Sequence, residues 1–132
     1  MSEQKTILGK AGASALPAYS IVVPNGADPG VLDAASAATD VNFGVVQNAP
    51  DSGGEALVAI EGFTLVDTAS DLDPYEEITS NGSGLAIAVT AGASNTALGY
   101  YCPEPVDGAV SSSTSGDRVR VYLYSYKGNI VP

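Results

Sequence analysis

The sequence predicts an all-β protein: a compact small barrel or sandwich with an extended N-terminal arm and little or no helix. Three observations predict it. No segment sustains a 3.6-residue apolar period. Short β-branched or aromatic runs recur, several of them alternating apolar and polar residues. Clusters such as Pro24-Asn25-Gly26, Asp28-Pro29-Gly30 and Asn81-Gly82-Ser83-Gly84 divide these runs, and such clusters are turn chemistry.

Residues 1–15 read as an arm, because Ile7-Leu8 is their only apolar pair and so little apolar area does not offset the entropy of ordering. Residues 16–132 form the β-rich body. Tyr19 to Val23 is a β-branched strand closed by Pro24-Asn25-Gly26. Residues 33–40 have a plausible helix N-cap in Asp33 but no apolar face, so they read as loop. Val41 to Gln47 is strand-like around Gly44, and Asp51 to Gly54 is a turn. Glu55 to Ile60 alternates, with Ala56, Val58 and Ile60 on one side, and Phe63 to Val66 reads as the return arm of a hairpin beyond Gly62. Residues 67–77 are an acidic loop. Ile78 opens a hairpin through Asn81-Gly82-Ser83-Gly84 to a return strand over Leu85 to Thr90. Ala97 to Cys102 is a strand, residues 107–117 are a loop, and Arg118 to Tyr126 is the clearest strand: Val119, Val121 and Leu123 on one face, Arg120, Tyr122, Tyr124 and Tyr126 on the other. A weak internal repeat matches the strand around Gly44 and the strand from Gly54 with the strand around Gly99 and the strand from Gly116. The two glycines 44 and 99 mark bulges or close approach of backbones.

Composition limits function. Ala, Gly and Ser supply 48 of 132 residues, and the net charge is -10. Between Lys10 and Arg118 there are 14 acids and no base, which opposes nucleic acid and anionic membranes as partners. There is no apolar run long enough to span a bilayer, and MSEQKTILGK lacks the apolar stretch of a signal peptide. The single Cys102 leaves no internal disulfide, and histidine is absent. Ser111 to Ser113 therefore have no imidazole base, and no enzymatic role, cofactor or metal is expected. Asp67, Asp71, Asp73, Glu76 and Glu77 could hold Ca²⁺, but Pro74 and Tyr75 follow where an EF-hand loop needs other residues; a solvated acidic loop is the favoured reading. The Tyr122/Tyr124/Tyr126 face with Arg120 is either a subunit interface or a second core layer. The arm, with Lys5, Ile7, Leu8 and Lys10, is either a strand donated to a partner's sheet or a frayed end.

In the order of its features the chain resembles the small head decoration (capsid cement) proteins of tailed phages. The resemblance runs from Leu16 to Leu123. It rests on the polar arm, Leu16-Pro17-Ala18, Phe43-Gly44-Val45-Val46, the Gly54-to-Gly62 strand, Ile78-Thr79-Ser80 before Asn81-Gly82-Ser83-Gly84, Leu98-Gly99-Tyr100 and the closing Val119-to-Leu123 strand. It implies a homotrimer on the outer surface of the virion's expanded capsid, at threefold and quasi-threefold sites. There it would clamp the major capsid protein against internal DNA pressure, with Lys5, Ile7, Leu8 and Lys10 at the capsid. The competing class is a β-rich fibre or adhesin-type receptor-binding module.

Overall fold

A computed structural model describes residues 4–25, 28–36, 43–90 and 97–124. Among them are nine strands: β1 (Lys5–Ala11), β2 (Ile21–Pro24), β3 (Val31–Ala34), β4 (Gly44–Val46), β5 (Glu55–Asp67), β6 (Glu77–Ser80), β7 (Ala86–Ala88), β8 (Gly99–Tyr101) and β9 (Arg118–Leu123). No helix occurs among the described residues.

The strands form two rings that share β5. In the first, β1 pairs with β3, β3 with β2, β2 with β4, β4 with the first half of β5, and β5 back with β1, which closes a five-stranded barrel. In the second, the rest of β5 pairs with β9, β9 with β8, β8 with β6 and β6 with β7. A parallel bridge between Thr68 and Ala86 joins β7 to the end of β5 and completes this ring.

The two rings are one fold used twice. Every ladder of the first has its counterpart in the second, in the same register except at the Lys5 bulge, and with the two-residue β1–β3 ladder reduced to a single bridge. Leu8 opposite Leu57 corresponds to Leu65 opposite Arg120. Ile21 opposite Val45 corresponds to Glu77 opposite Tyr100. Val22 opposite Ala34 corresponds to Ile78 opposite Ala88. Val45 opposite Ala59 corresponds to Tyr100 opposite Tyr122. The parallel pair Ala11 and Leu32 corresponds to Thr68 and Ala86. Tyr19 and Tyr75 also coincide: both have a left-handed backbone, with φ of 62° and 67°, and their N–H groups donate to the equivalent carbonyls of Val46 and Tyr101. Thus the weak sequence repeat is a complete structural duplication. The match of Gly54 with Gly116 is off by one residue. It is Gly53 and Gly116 that share a positive φ and donate to the equivalent Ala11 and Thr68 carbonyls.

Gly44 and Gly99 do sit where backbones approach closely. A Cβ on Gly99 would run into the Tyr122 carbonyl, and one on Gly44 into the Ala59 carbonyl. Two cores result. Leu16, Val22, Leu32, Val46, Ala56 and Val58 fill the first barrel. Their counterparts Leu72, Ile78, Ala86, Tyr101, Val119 and Val121 fill the second, joined there by Ile21, Val45 and Ala59 from the outside of the first.

Three sequence expectations change. The arm is, over Lys5–Ala11, a strand paired within its own chain along six residues of β5. Backbone pairing orders it, and that gain leaves little trace in side-chain pattern. The hairpin at Gly62 is instead the middle of one 13-residue strand; Gly62, at φ 90°, is where β5 passes from one ring to the other. Finally, Val31–Ala34, partly read as loop, is β3. The hairpin through Asn81-Gly82 forms as expected, with the Asn81 side-chain oxygen accepting from the N–H groups of Ser83 and Leu85.

Candidate interaction surfaces

Two outward faces carry five of the six large hydrophobics that are exposed among the described residues. The first lies on β1 and β5. Alternation along β1 turns Ile7 toward the first core and Leu8 and Lys10 outward. Leu8, 64% exposed, lies directly opposite Leu57, and Lys10 lies opposite Glu55. Lys5 sits beyond a bulge, with Nζ 3.7 Å from the Glu61 carboxylate. The four predicted arm residues are therefore divided: Leu8, Lys10 and Lys5 face solvent, and Ile7 is half-buried. Leu57, which the sequence reading passed over, completes the apolar patch.

The second face is the outside of the second ring. Because directly opposed residues share a face, the register lines up Phe63, Tyr122, Tyr100 and Glu77 across four strands. Phe63 meets Tyr122 edge-on at 5.1 Å, and Tyr122 stacks on Tyr100 at 5.6 Å. Tyr124 and Tyr75 lie 6.0 and 6.5 Å from Tyr100. Five of the chain's nine aromatic residues thus share one face. Arg120 caps its β5 end, with Cζ 4.9 Å from the Phe63 ring centroid, donating to the Cys102 carbonyl and to Glu104. At the other end the Tyr124 hydroxyl donates to Glu77 at 2.7 Å. Burial, then this bond and the carboxylate charge, push the Tyr124 phenol up to about 12. The predicted set Arg120, Tyr122 and Tyr124 is accordingly brought together on an outer face, not in a second core layer; Tyr126 lies outside the described residues. Leu65 and Phe63, on β5, and Tyr75, in the turn before β6, belong to the same face, which is why the β9 pattern alone did not reveal them.

The acids of residues 67–77 are spread among separate donors. Asp67 holds Arg118 at 2.7 and 3.2 Å, and Arg118 lies over the Tyr19 ring. Asp71 accepts from the Ser115 N–H, Asp73 from the Ser112 hydroxyl, and Glu76 from the Asp73 N–H. No group of three or more potential metal ligands converges among the described residues. A shallow cleft of about 320 Å³ is lined by Tyr101, Glu104, Ser112 and Arg118 among others. Ser113, on its wall, has a buried hydroxyl with no hydrogen-bond partner among the described residues. Cys102 is half-buried.

No protein-family model matches the chain, and no curated protein matches it by sequence. Among solved structures it is similar to the N base of head fiber gp8.5 in bacteriophage phi29, with a TM-score of 0.67 and 18% identity over 92% of this chain and 95% of that one. At that identity the likeness is one of fold.

Proposed function

We propose that this chain is a structural protein of a phage head. In this reading it is a decoration protein that binds the outer surface of the expanded capsid as a homotrimer, at threefold and quasi-threefold sites, and stabilises the shell against internal DNA pressure. The observation that carries the reading is the shared fold with a head fibre base along nearly the full length of both chains. The exposed Leu8–Leu57 pair with Lys5 and Lys10 is the surface we assign to the major capsid protein. An apolar centre with a charged rim suits protein contact, and many modest contacts add up across a shell. No catalytic step and no cofactor enter this function.

Cosedimentation with expanded heads and with unexpanded proheads tests it. Saturable binding to expanded heads, lost in Leu8→Ser with Lys10→Glu, is the expected result. Equal decoration by wild type and that variant would overturn the surface assignment. The second reading, a fibre base or adhesin-type module, is favoured by the likeness to a head fiber base. Binding to host cells without binding to heads would select it.

A further inference from the structure

The backbone of β1 is paired on one side along its length and on the other only at its end. Ala11 faces β5: its N–H donates to the Gly54 carbonyl at 2.8 Å and its carbonyl accepts from Gly53. In an antiparallel ladder alternate residues bond across and the ones between point away, so Gly9 and Ile7 also face β5, and Lys10, Leu8 and Thr6 face outward. Leu57 agrees. It lies opposite Leu8 and turns its own backbone to the far side, its N–H to the Asn48 side chain and its carbonyl to the Gln47 N–H. On the outward side β3 reaches only Lys10 and Ala11, where the Lys10 N–H donates to the Gly30 carbonyl. The backbone groups of Thr6 and Leu8 therefore have no partner among the described residues, and both residues are exposed. The duplication shows that this edge need not be bare. In the second ring the counterparts of Thr6, Leu8 and Lys10 are Phe63, Leu65 and Asp67. There the Phe63 carbonyl accepts from the Gln4 side chain at 3.0 Å, the Leu65 carbonyl from the Thr64 hydroxyl at 3.2 Å, and the Asp67 N–H donates to the Tyr19 carbonyl. The counterpart of Thr64 is Ile7, which has no hydroxyl to offer.

We infer that the outer edge of β1 at Thr6 and Leu8 is a strand-addition site, where an extended segment of the major capsid protein, alternating apolar and acidic residues, pairs backbone to backbone. The inference deepens the capsid reading and rests on it. An open edge is a template for a strand from another chain. An added strand would lie beside Leu8, so its residue opposite Leu8 would extend the apolar Leu8–Leu57 row by one column. Charge selects the occupant. Lys5 and Lys10 flank the open stretch and are the only bases of the first ring among the described residues. Two copies of this chain pairing edge to edge would draw these lysines together, and like charges across a ladder are destabilising. A segment with carboxylates two residues from its apolar centre meets them favourably.

Cosedimentation of the purified full chain with expanded heads tests it, comparing wild type with Thr6→Pro and Thr6→Ala. Proline there removes only an outward N–H, so the ladder to β5 survives and circular dichroism should not change. Thr6→Pro should bind about tenfold more weakly than wild type, and Thr6→Ala, which keeps the N–H, within about twofold of it. Hydrogen exchange on wild type needs no variant. The Thr6 and Leu8 amides should exchange about tenfold more slowly on heads than free, while those of Ile7 and Gly9, already bonded to β5, change little. Raising salt should weaken binding, because the lysines meet carboxylates; binding indifferent to salt overturns the acidic character of the segment. Unchanged exchange at Thr6 and Leu8 in head-bound protein, or equal binding by Thr6→Pro and wild type, overturns strand addition and leaves capsid attachment standing. A wild type that does not bind heads overturns both.

Discussion

Gly99→Ala tests whether the close approach of β8 to β9 is a condition of the fold. A Cβ at this position would lie 2.9 Å from the Tyr122 carbonyl carbon and 3.0 Å from the Leu123 Cα, with the Tyr122 carbonyl oxygen nearer still. All three are backbone atoms, so no side-chain rotation relieves the overlap. β8 must lift from β9, which loosens the pairs Gly99–Leu123, Tyr100–Tyr122 and Tyr101–Val121 and opens the second core around Leu98 and Tyr101. Overpacking costs about 1–3 kcal/mol where neighbours can shift; against immobile backbone we expect the upper end, about 3 kcal/mol. A melting entropy of about 2.1 cal/mol/K per residue gives about 0.28 kcal/mol/K for the whole chain, so Tm should drop by about 11 °C. Gly30→Ala is the comparison. Its φ is 79°, but nothing lies within 4 Å of the added Cβ. That left-handed strain alone costs about 1 kcal/mol, or about 4 °C. Scanning calorimetry of the two variants decides the matter: a Tm loss for Gly99→Ala no larger than that for Gly30→Ala refutes the close-approach argument. Gly44→Ala, at the equivalent position, should fall as far as Gly99→Ala.

Absorbance titration at 295 nm should find one tyrosine that ionises only near pH 12, and Glu77→Gln should bring it down, since the carboxylate is one cause of the shift. Because the folded Tyr124 pKa is raised above the ordinary 10.0, its stabilising contribution is complete below about pH 10 and is lost as pH rises through 12; a melting temperature independent of pH across that window would contradict this. Ser113→Ala removes a buried hydroxyl that has no partner among the described residues and should leave stability unchanged or raise it by up to about 1 kcal/mol, so a clear loss in urea denaturation would count against an orphaned hydroxyl. Ile7→Ser should cost about 1–2 kcal/mol, because Ile7 packs on the first core. Leu8→Ser, at a site 64% exposed, should stay within about 0.5 kcal/mol of wild type.

Much of this was legible in the residues. The β9 alternation located both the buried stripe and the tyrosine face, since a period of two allows no other division in a strand with one face on a core. Gly44 and Gly99 pointed to a bulge or a close approach of backbones, and the second of these is what the strands show. What the residues concealed was pairing. β1 is ordered by β5 and β3, which lie more than 15 residues away in the chain, and its own composition is that of a polar tail. The long β5 looked like two arms of a hairpin because Gly62 punctuates it. The duplication was more visible than the short Gly phrases suggested: Leu16-x-x-Tyr19 returns as Leu72-x-x-Tyr75, and Asn25 returns as Asn81, each 56 residues on. The equivalent faces nevertheless diverged, from Val45 and Ala59 to Tyr100 and Tyr122, because one became interior and the other stayed outside.

The strand held in common has a consequence for how the molecule comes apart. Because β5 runs through both barrels and Ile21, Val45 and Ala59 of the first belong to the core of the second, neither can melt and leave the other whole: loss of the second ring strips these three of their cover, and loss of the first takes them out of the second core. Hydrogen exchange should therefore report one cooperative unit spanning β1 to β9, not two that open independently. The shared core makes the duplication hard to reverse. Deleting the second copy would leave every ladder of the first ring in place but would bare Ile21, Val45 and Ala59, an apolar patch that invites aggregation.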